Sequence, residues 1–195
     1  RLLHYQVPEY GVTLGFYPHQ FIQVNALMNR ELVRTVMGYL APVKGEPVLD
    51  MFCGIGNFTL PLARAGARAV GVEASEEAVE RASANASDNA LASNSRFFTT
   101  DLYGDAGKGH AIWSKLEATP KALILDPPRS GAGPNLDSWV QVGSLQRVVY
   151  VSCNPVTFAE DAKVLAASGY VLQQVGVYDM FPGTAHVETL GLFSR

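Results

Sequence analysis

From residue 46 onward the apolar positions come in short, nearly unbroken runs, separated by stretches in which they recur every three or four residues. The runs PVLDMF (47–52), ARAVGVE (67–73), SRFFTT (95–100), KALILD (121–126) and RVVYVS (147–152) read as strands. Between them NFTLPLARA (57–65), SEEAVERASANASDNAL (75–91) and PNLDSWVQVG (134–143) read as helices, and GDAGKGHAIWSKL (104–116) is Gly-rich and poorly defined. The helix-like VTFAEDAKVLAAS (156–168) follows, with Gly169 as its C-cap, and YVLQQVGVYDMF (170–181) and HVETLGLFS (186–194) close the chain as two strands. Repeated β-α units with strands apolar on both faces predict an α/β fold: a mostly parallel sheet covered by helices on each side. Upstream, LLHYQV (2–7) and VTLGFY (12–17) flank a Pro/Gly turn and predict a hairpin. FIQVNALMNRELVRTVMGYL (21–40) predicts an amphipathic helix closed at Ala41-Pro42. The expected division is a hairpin and helix over 1–44 packed on an α/β domain over 45–195.

Composition narrows this picture without changing it. The chain has 195 residues, 48% hydrophobic and 17% charged, the balance of an ordinary globular domain. No apolar run reaches the ~18 residues of a membrane span, and no signal peptide is evident. The net charge is −3, whereas a surface that grips nucleic acid by itself is usually basic. Cys53 and Cys153 are far apart and make no disulfide framework, which fits a reducing cytoplasm.

Ligands of parallel α/β sheets bind beyond the carboxyl ends of the strands, and the chemistry-bearing residues gather there. The first α/β strand runs into DMFCGIGNF (50–58), where Gly54 and Gly56 allow a tight turn and the next helix offers free N–H groups. Glu73 ends the second strand, where a carboxylate can bind both ribose hydroxyls. A dinucleotide loop wants a third glycine, but Thr59 stands there. The acid Asp50 suits a cofactor with a cationic amino-acid end better than a pyrophosphate, which it would repel. The two closing strands also resemble the hairpin that ends class I methyltransferase sheets. Asp101, after the third strand, can accept from an adenine amine. S-adenosylmethionine is therefore preferred over a dinucleotide.

The fourth strand ends in Asp126-Pro127-Pro128-Arg129. Amino-group methyltransferases carry a similar motif with an aromatic ring in the last place. Arg129 argues against amine methylation and offers a guanidinium for a phosphate, a carbonyl or a ring face. The fifth strand delivers Cys153 to the same rim, followed by Asn154-Pro155. A lone cysteine is usually buried filling, but a thiol at a ligand-binding rim is a nucleophile in waiting. Cys53, in the glycine loop, is expected to pack beside the cofactor. His186 and Glu188, at the start of the last strand, supply a base. The Pro-Cys-x-x-Cys pair of zinc deaminases is missing, and the histidines and cysteines form no metal site.

FIQVN (21–25), LDMFCGIGNF (49–58), DPPRSG (126–131), YVSCNP (150–155) and DMFPGTAHVE (179–188) together resemble the RNA uracil-C5 methyltransferase family, from about residue 16 to the end. FIQVN and DMFP are most similar to the bacterial 23S rRNA enzymes. DPPRSG is also seen in the tRNA branch. The resemblance implies a class I, Rossmann-like methyltransferase fold with a seven-stranded, mostly parallel sheet and an antiparallel closing strand. It implies 5-methyluridine formation in RNA, 23S rRNA before tRNA, with S-adenosylmethionine as donor, in a cytoplasmic, monomeric protein. Cys153 matches the nucleophile and Glu188 the general base. Gln23, Phe52, Gly54, Asn57, Glu73, Asp101 and Asp126 fall at donor-binding positions, with Asp101 at the most variable of them. Arg129 and Phe21 are the substrate-side candidates, Phe21 by stacking on the target base.

These residue types suit the reaction. C5 of uracil is a poor nucleophile until a thiolate adds to C6, and a base must then remove the C5 proton. A free thiol titrates near ~8.5, so the site is expected to favour the thiolate with help from Arg129. The stacked uridine must be flipped out to react. Family members usually carry preceding segments: an OB-like barrel for RNA and, in some, an iron–sulfur cluster held by cysteines. This chain shows neither, opens on Arg1 and is acidic, so a catalytic domain of a longer protein is expected, with no metal of its own. The alternatives are a class I methyltransferase with another target, such as cytosine C5 or a protein, and a cofactor-binding module without activity.

Overall fold

A computed structural model describes residues 1–104, 112–113, 116–180, 182–184 and 187–195. Nine strands and five α-helices are found among them. Strands β1 (Leu3–Val7) and β2 (Val12–Phe16) pair antiparallel as the expected hairpin. Helix α1 covers Ala26–Leu40, five residues shorter at its start than the periodicity of 21–40 suggests. The reason is Asn25, which takes an extended backbone and accepts the Met28 N–H through its side chain; an N-cap forces the chain out of helix before it.

The main sheet then alternates with helices: β3 (Pro47–Met51), α2 (Thr59–Arg64), β4 (Arg68–Glu73), α3 (Glu76–Asp88), β5 (Ser95–Thr99), β6 (Ala122–Leu125), α4 (Leu136–Val140), β7 (Arg147–Ser152), α5 (Pro155–Ala167), β8 (Val171–Tyr178) and β9 (Glu188–Ser194). The helix-like segment 104–116 lies mostly outside the described residues. Spatial order is β5-β4-β3-β6-β7-β9-β8; β9 runs antiparallel to both of its neighbours, and the other pairs are parallel. This is the expected seven-stranded sheet with one reversed strand. The order turns around between β3 and β6, so both loops leaving these strands open the crevice where such sheets bind ligands.

The unbroken apolar strands are explained by two cores. Val48, Ala122, Ile124, Val149 and Val151 pack on one face with α1, α2 and the hairpin's Val7, Val12 and Leu14. Their sequence neighbours Leu49, Leu123, Leu125, Val148 and Tyr150 face the other way, toward Trp139 of α4 and Leu165 of α5. Alternate side chains of one strand thus feed opposite cores.

A buried amide ties the hairpin to the glycine loop. Asn85 of α3 accepts the Gly15 N–H (2.8 Å) and donates to the carbonyls of Gly15 and Ile55 (both 3.1 Å). Periodicity marks Asn85 only as a polar interruption on a helix. Asn85→Ala leaves buried backbone groups of two segments unpaired and is expected to cost about 2–4 kcal/mol, measured as a lower urea midpoint at unchanged slope.

Candidate active site

Three strand ends converge on one rim. Ser152 pairs with Thr189 across the antiparallel β7–β9 ladder, so the next step along it sets Cys153 against Glu188. Leu125 pairs with Tyr150, so Asp126, one residue beyond β6, stands on the other side of the same strand end. Cys153 is half-buried, and Glu188 is 5% exposed. Burial pushes the Glu188 carboxyl up to about 7. Asp126 is also driven well above the usual carboxylate range, first by burial and then by Glu188 and Asp50.

The thiol responds to the same surroundings. Burial, then the Glu188 and Asp126 carboxyls, raise Cys153, and Arg129 opposes them. Among the chain's own groups the balance holds the proton on sulfur, against the expectation of a favoured thiolate. Two carboxyls and desolvation outweigh one exposed guanidinium, because charge at the surface is screened and burial is not.

The loops carrying these groups are bolted together. Asn154 caps α5 by accepting the Val156 N–H (3.1 Å), and its Nδ2 donates to the Arg129 carbonyl (2.9 Å). The Thr157 hydroxyl donates to the same carbonyl (3.3 Å). Ser152 Oγ donates to the Asn154 carbonyl and accepts its N–H, a tight turn directly beneath Cys153. Asn154 was legible only as the residue that ends the strand. Its second bond, to a loop 25 residues earlier, has no local signal.

On the β3–β4 side the glycine loop is held by acids. Glu73 accepts the N–H groups of Gly54 (3.2 Å), Ala74 (2.8 Å) and Ser75 (3.0 Å), so its carboxylate is fixed at the end of β4. Asp50 is fully buried; Oδ2 accepts the Thr59 hydroxyl at 2.5 Å, and Oδ1 has no partner. Burial raises Asp50 to about 7, against the lowering effect of the Thr59 bonds. A buried orphan carboxylate oxygen under a glycine loop fits a cationic ligand group, and so supports the donor site inferred from sequence. Phe52 sits in the left-handed region at φ 64°, with the rings of Tyr103 (centroids 5.8 Å) and Trp139 (6.0 Å) against it. A phenylalanine there is strained and persists because its neighbours hold it.

The remaining candidates are less uniform. Asn57 turns its carboxamide away from the glycine loop to α1 and the hairpin: it exchanges hydrogen bonds with Asn29 (3.0 and 2.9 Å) and accepts from Tyr5 (3.0 Å). Asp101 is exposed and accepts the Tyr103 N–H (2.9 Å). Gln23 is half-buried and Phe21 is 80% exposed on the segment entering α1. That segment crosses the rim from α3, where His19 meets Glu77 (2.5 Å), to the end of β8, where Asn25 donates to the Met180 carbonyl (3.2 Å). Cys53 turns into the fold: its sulfur lies 2.7 Å from the point where a Cβ on Gly71 would stand. His186 and Phe181 lie outside the described residues. Among the described residues no group of three or more His, Cys, Asp or Glu could hold a metal.

The raised acids have a consequence for stability. A carboxyl held up in the folded state stabilises the fold below its unfolded pKa of 4.5 and loses that contribution as pH rises through about 7. For Glu188 the loss is ~3 kcal/mol, from about 2.5 units at 1.36 kcal/mol each. Thermal melts of the wild type should therefore fall between pH 4.5 and 7.5, and Glu188→Gln should flatten part of that slope.

Comparison with known proteins agrees with the geometry. Residues 5–195 match the family profile described as tRNA (Uracil-5-)-methyltransferase. The 23S rRNA (uracil(1939)-C(5))-methyltransferase RlmD of Hahella chejuensis is 47% identical over 197 residues, covering 100% of this chain and 43% of that protein. The crystal structure of Pyrococcus abyssi tRNA (uracil-54, C5)-methyltransferase in complex with S-adenosyl-L-homocysteine superposes with a TM-score of 0.82 at 31% identity, over 98% of this chain and 44% of that one. Magnesium protoporphyrin IX methyltransferase from Synechocystis, with bound SAM, shares the fold at a TM-score of 0.65 and 20% identity, over 87% of this chain and 81% of that one. The chain spans less than half the length of the curated relatives it matches. With a class I methyltransferase sheet, a thiol and a carboxyl paired at its rim, and a profile match over nearly its whole length, this chain belongs to the tRNA (Uracil-5-)-methyltransferase family.

Proposed function

We propose that this chain is the catalytic domain of an RNA uracil-C5 methyltransferase that uses S-adenosylmethionine, with 23S rRNA as substrate in preference to tRNA. The observation that carries the reading is the pairing of Cys153 with Glu188 across β7 and β9, on the rim that also holds Asp50 and Glu73. The preference for 23S rRNA follows the higher identity to the RlmD enzyme, 47% against 31% for the tRNA enzyme.

Gln23, Phe52, Gly54, Asn57, Glu73, Asp101 and Asp126 are proposed to hold the donor, with the orphan oxygen of Asp50 facing its cationic end. When bound, S-adenosylmethionine supplies the electrophilic methyl group that C5 takes up. Cys153 adds to C6 of a flipped uridine, which places electron density on C5. Glu188, poised near neutrality by its burial, takes the C5 proton, and the Cys153–C6 bond then breaks to release the product. Arg129 and Phe21 face the base and its backbone from the DPPR loop and from the segment entering α1.

Residues 1–44 are proposed as an N-terminal hairpin and helix built onto a methyltransferase domain over 45–195. A cytoplasmic, monomeric protein is part of this proposal. No described helix is long and apolar enough to cross a membrane. The acidic net charge of −3 makes RNA binding depend on a local basic patch or on a further domain.

Two experiments test this reading. The full-length protein, S-adenosylmethionine and RNA carrying 5-fluorouridine should give a covalent protein–RNA band that Cys153→Ala abolishes, because fluorine cannot leave as a proton. Glu188→Gln should accumulate the same band with ordinary uridine. Methylation at wild-type rate by Cys153→Ala would end the proposal. In calorimetry the 195-residue chain should bind the donor, and Glu73→Ala should weaken that binding about tenfold, or ~1.4 kcal/mol.

A further inference from the structure

Tyr103 lies two residues past Asp101, on neither the donor list nor the catalytic pair, and is 38% exposed. Its ring, hydroxyl and backbone N–H are nevertheless all engaged. The ring rests against left-handed Phe52 on one side. On the other it fills the place of a side chain at Gly133, where a Cβ would lie 2.6 Å from the ring; Gly133 has φ +83°. The hydroxyl donates to the Gly131 carbonyl, with Ser130 Oγ 3.1 Å away. The backbone N–H is held by Asp101.

The loop that Tyr103 grips is the one that presents Arg129. Its other fastenings come from the nucleophile's side: the Arg129 carbonyl accepts from Asn154 and Thr157, and the Ala132 N–H donates to Asp161 of α5 (2.8 Å), which also accepts the Tyr150 hydroxyl. Residues 129–132 are thus held from Cys153's own turn on one side and from the glycine-loop side on the other. Tyr103 is the link between Phe52 and that loop, and an exposed tyrosine serving only solubility would leave its hydroxyl in water.

We propose that Tyr103 is a positioning residue that couples the methyl-donor wall at Phe52 to the loop holding Arg129 beside Cys153. This rests on the reading of the rim as a donor site. The ring supports Phe52, and the hydroxyl sets the loop. The groups that face the Cys153 thiol are Glu188 from β9, Asp126 from the β6 exit and Arg129 from the gripped loop. A loosened loop weakens only the last of these, the one that favours the thiolate.

The test uses the 195-residue chain and two readouts: calorimetric binding of S-adenosylmethionine, and the pH profile of Cys153 alkylation by iodoacetamide, followed by mass spectrometry. Tyr103→Phe keeps the ring and the backbone bond. It should leave donor affinity within about twofold while the alkylation midpoint rises by about half a unit, a threefold slower reaction below it. Tyr103→Leu, which removes the ring, should show the same midpoint rise and about tenfold weaker donor binding. Arg129→Gln should raise the midpoint in the wild type and add little in the Tyr103→Phe background. An unmoved midpoint in Tyr103→Phe overturns the proposal, and so does a full Arg129→Gln effect in that background. Failure of the wild-type chain to bind the donor at all sinks the donor-site reading itself, and the coupling with it.

Discussion

The antiparallel ladder between β7 and β9 is the constraint on which the rest of this site depends. It sets Ser152 against Thr189 and so brings Cys153 and Glu188, 35 residues apart in the chain, face to face. A shift of one residue would turn Glu188 to the other face of the sheet and move Thr189 into its place. The register is secured by the buried alternation of both strands: Val149, Val151 and Leu190 feed one core, and Val148, Tyr150 and Phe193 feed the other. The same apolar contacts that make the sheet stable thereby specify where the thiol meets its base.

Around that pair the rim is built from carboxyls in low-dielectric surroundings. Asp50, Asp126 and Glu188 are all raised, and each raises or is raised by a neighbour. A positive group beside any of these carboxyls would favour its ionised form. The protonated thiol of Cys153 belongs to the same balance. Arg129 is the single described cation that acts against it, and the loop bearing Arg129 is fastened at its carbonyl, at Gly131 and at Ala132.

Much of this was legible in the residues. The nearly continuous apolar runs gave the spans of β3 to β7 to within about a residue, because strands covered on both faces have few polar positions to blur their limits. By contrast, β8 ends three residues before the expected 181 and β9 starts two after the expected 186. Strand ends marked Cys153, Asp126 and Glu73 as rim residues, because ligands of parallel sheets bind beyond those ends. The helix expected over 21–40 ran too long because amphipathic periodicity does not register a cap; the Asn25 side chain does. Asn57 was expected at the donor from its place in the glycine loop; that its carboxamide also joins Asn29 and Tyr5, residues of α1 and the hairpin, is a tertiary event.

The sequence by itself determined the fold class, the family and the chemical types at the rim, since strand periodicity, glycine turns and the motif set are all local. Only the tertiary structure decided the proton balance of Cys153 and Glu188, the orphan oxygen of Asp50, and the long-range contacts of Asn85, Asn154 and Tyr103. Each of these depends on burial or on a hydrogen bond between segments far apart in the chain. A desolvation energy is set by what surrounds a group in three dimensions, and no spacing of residues along the chain records it.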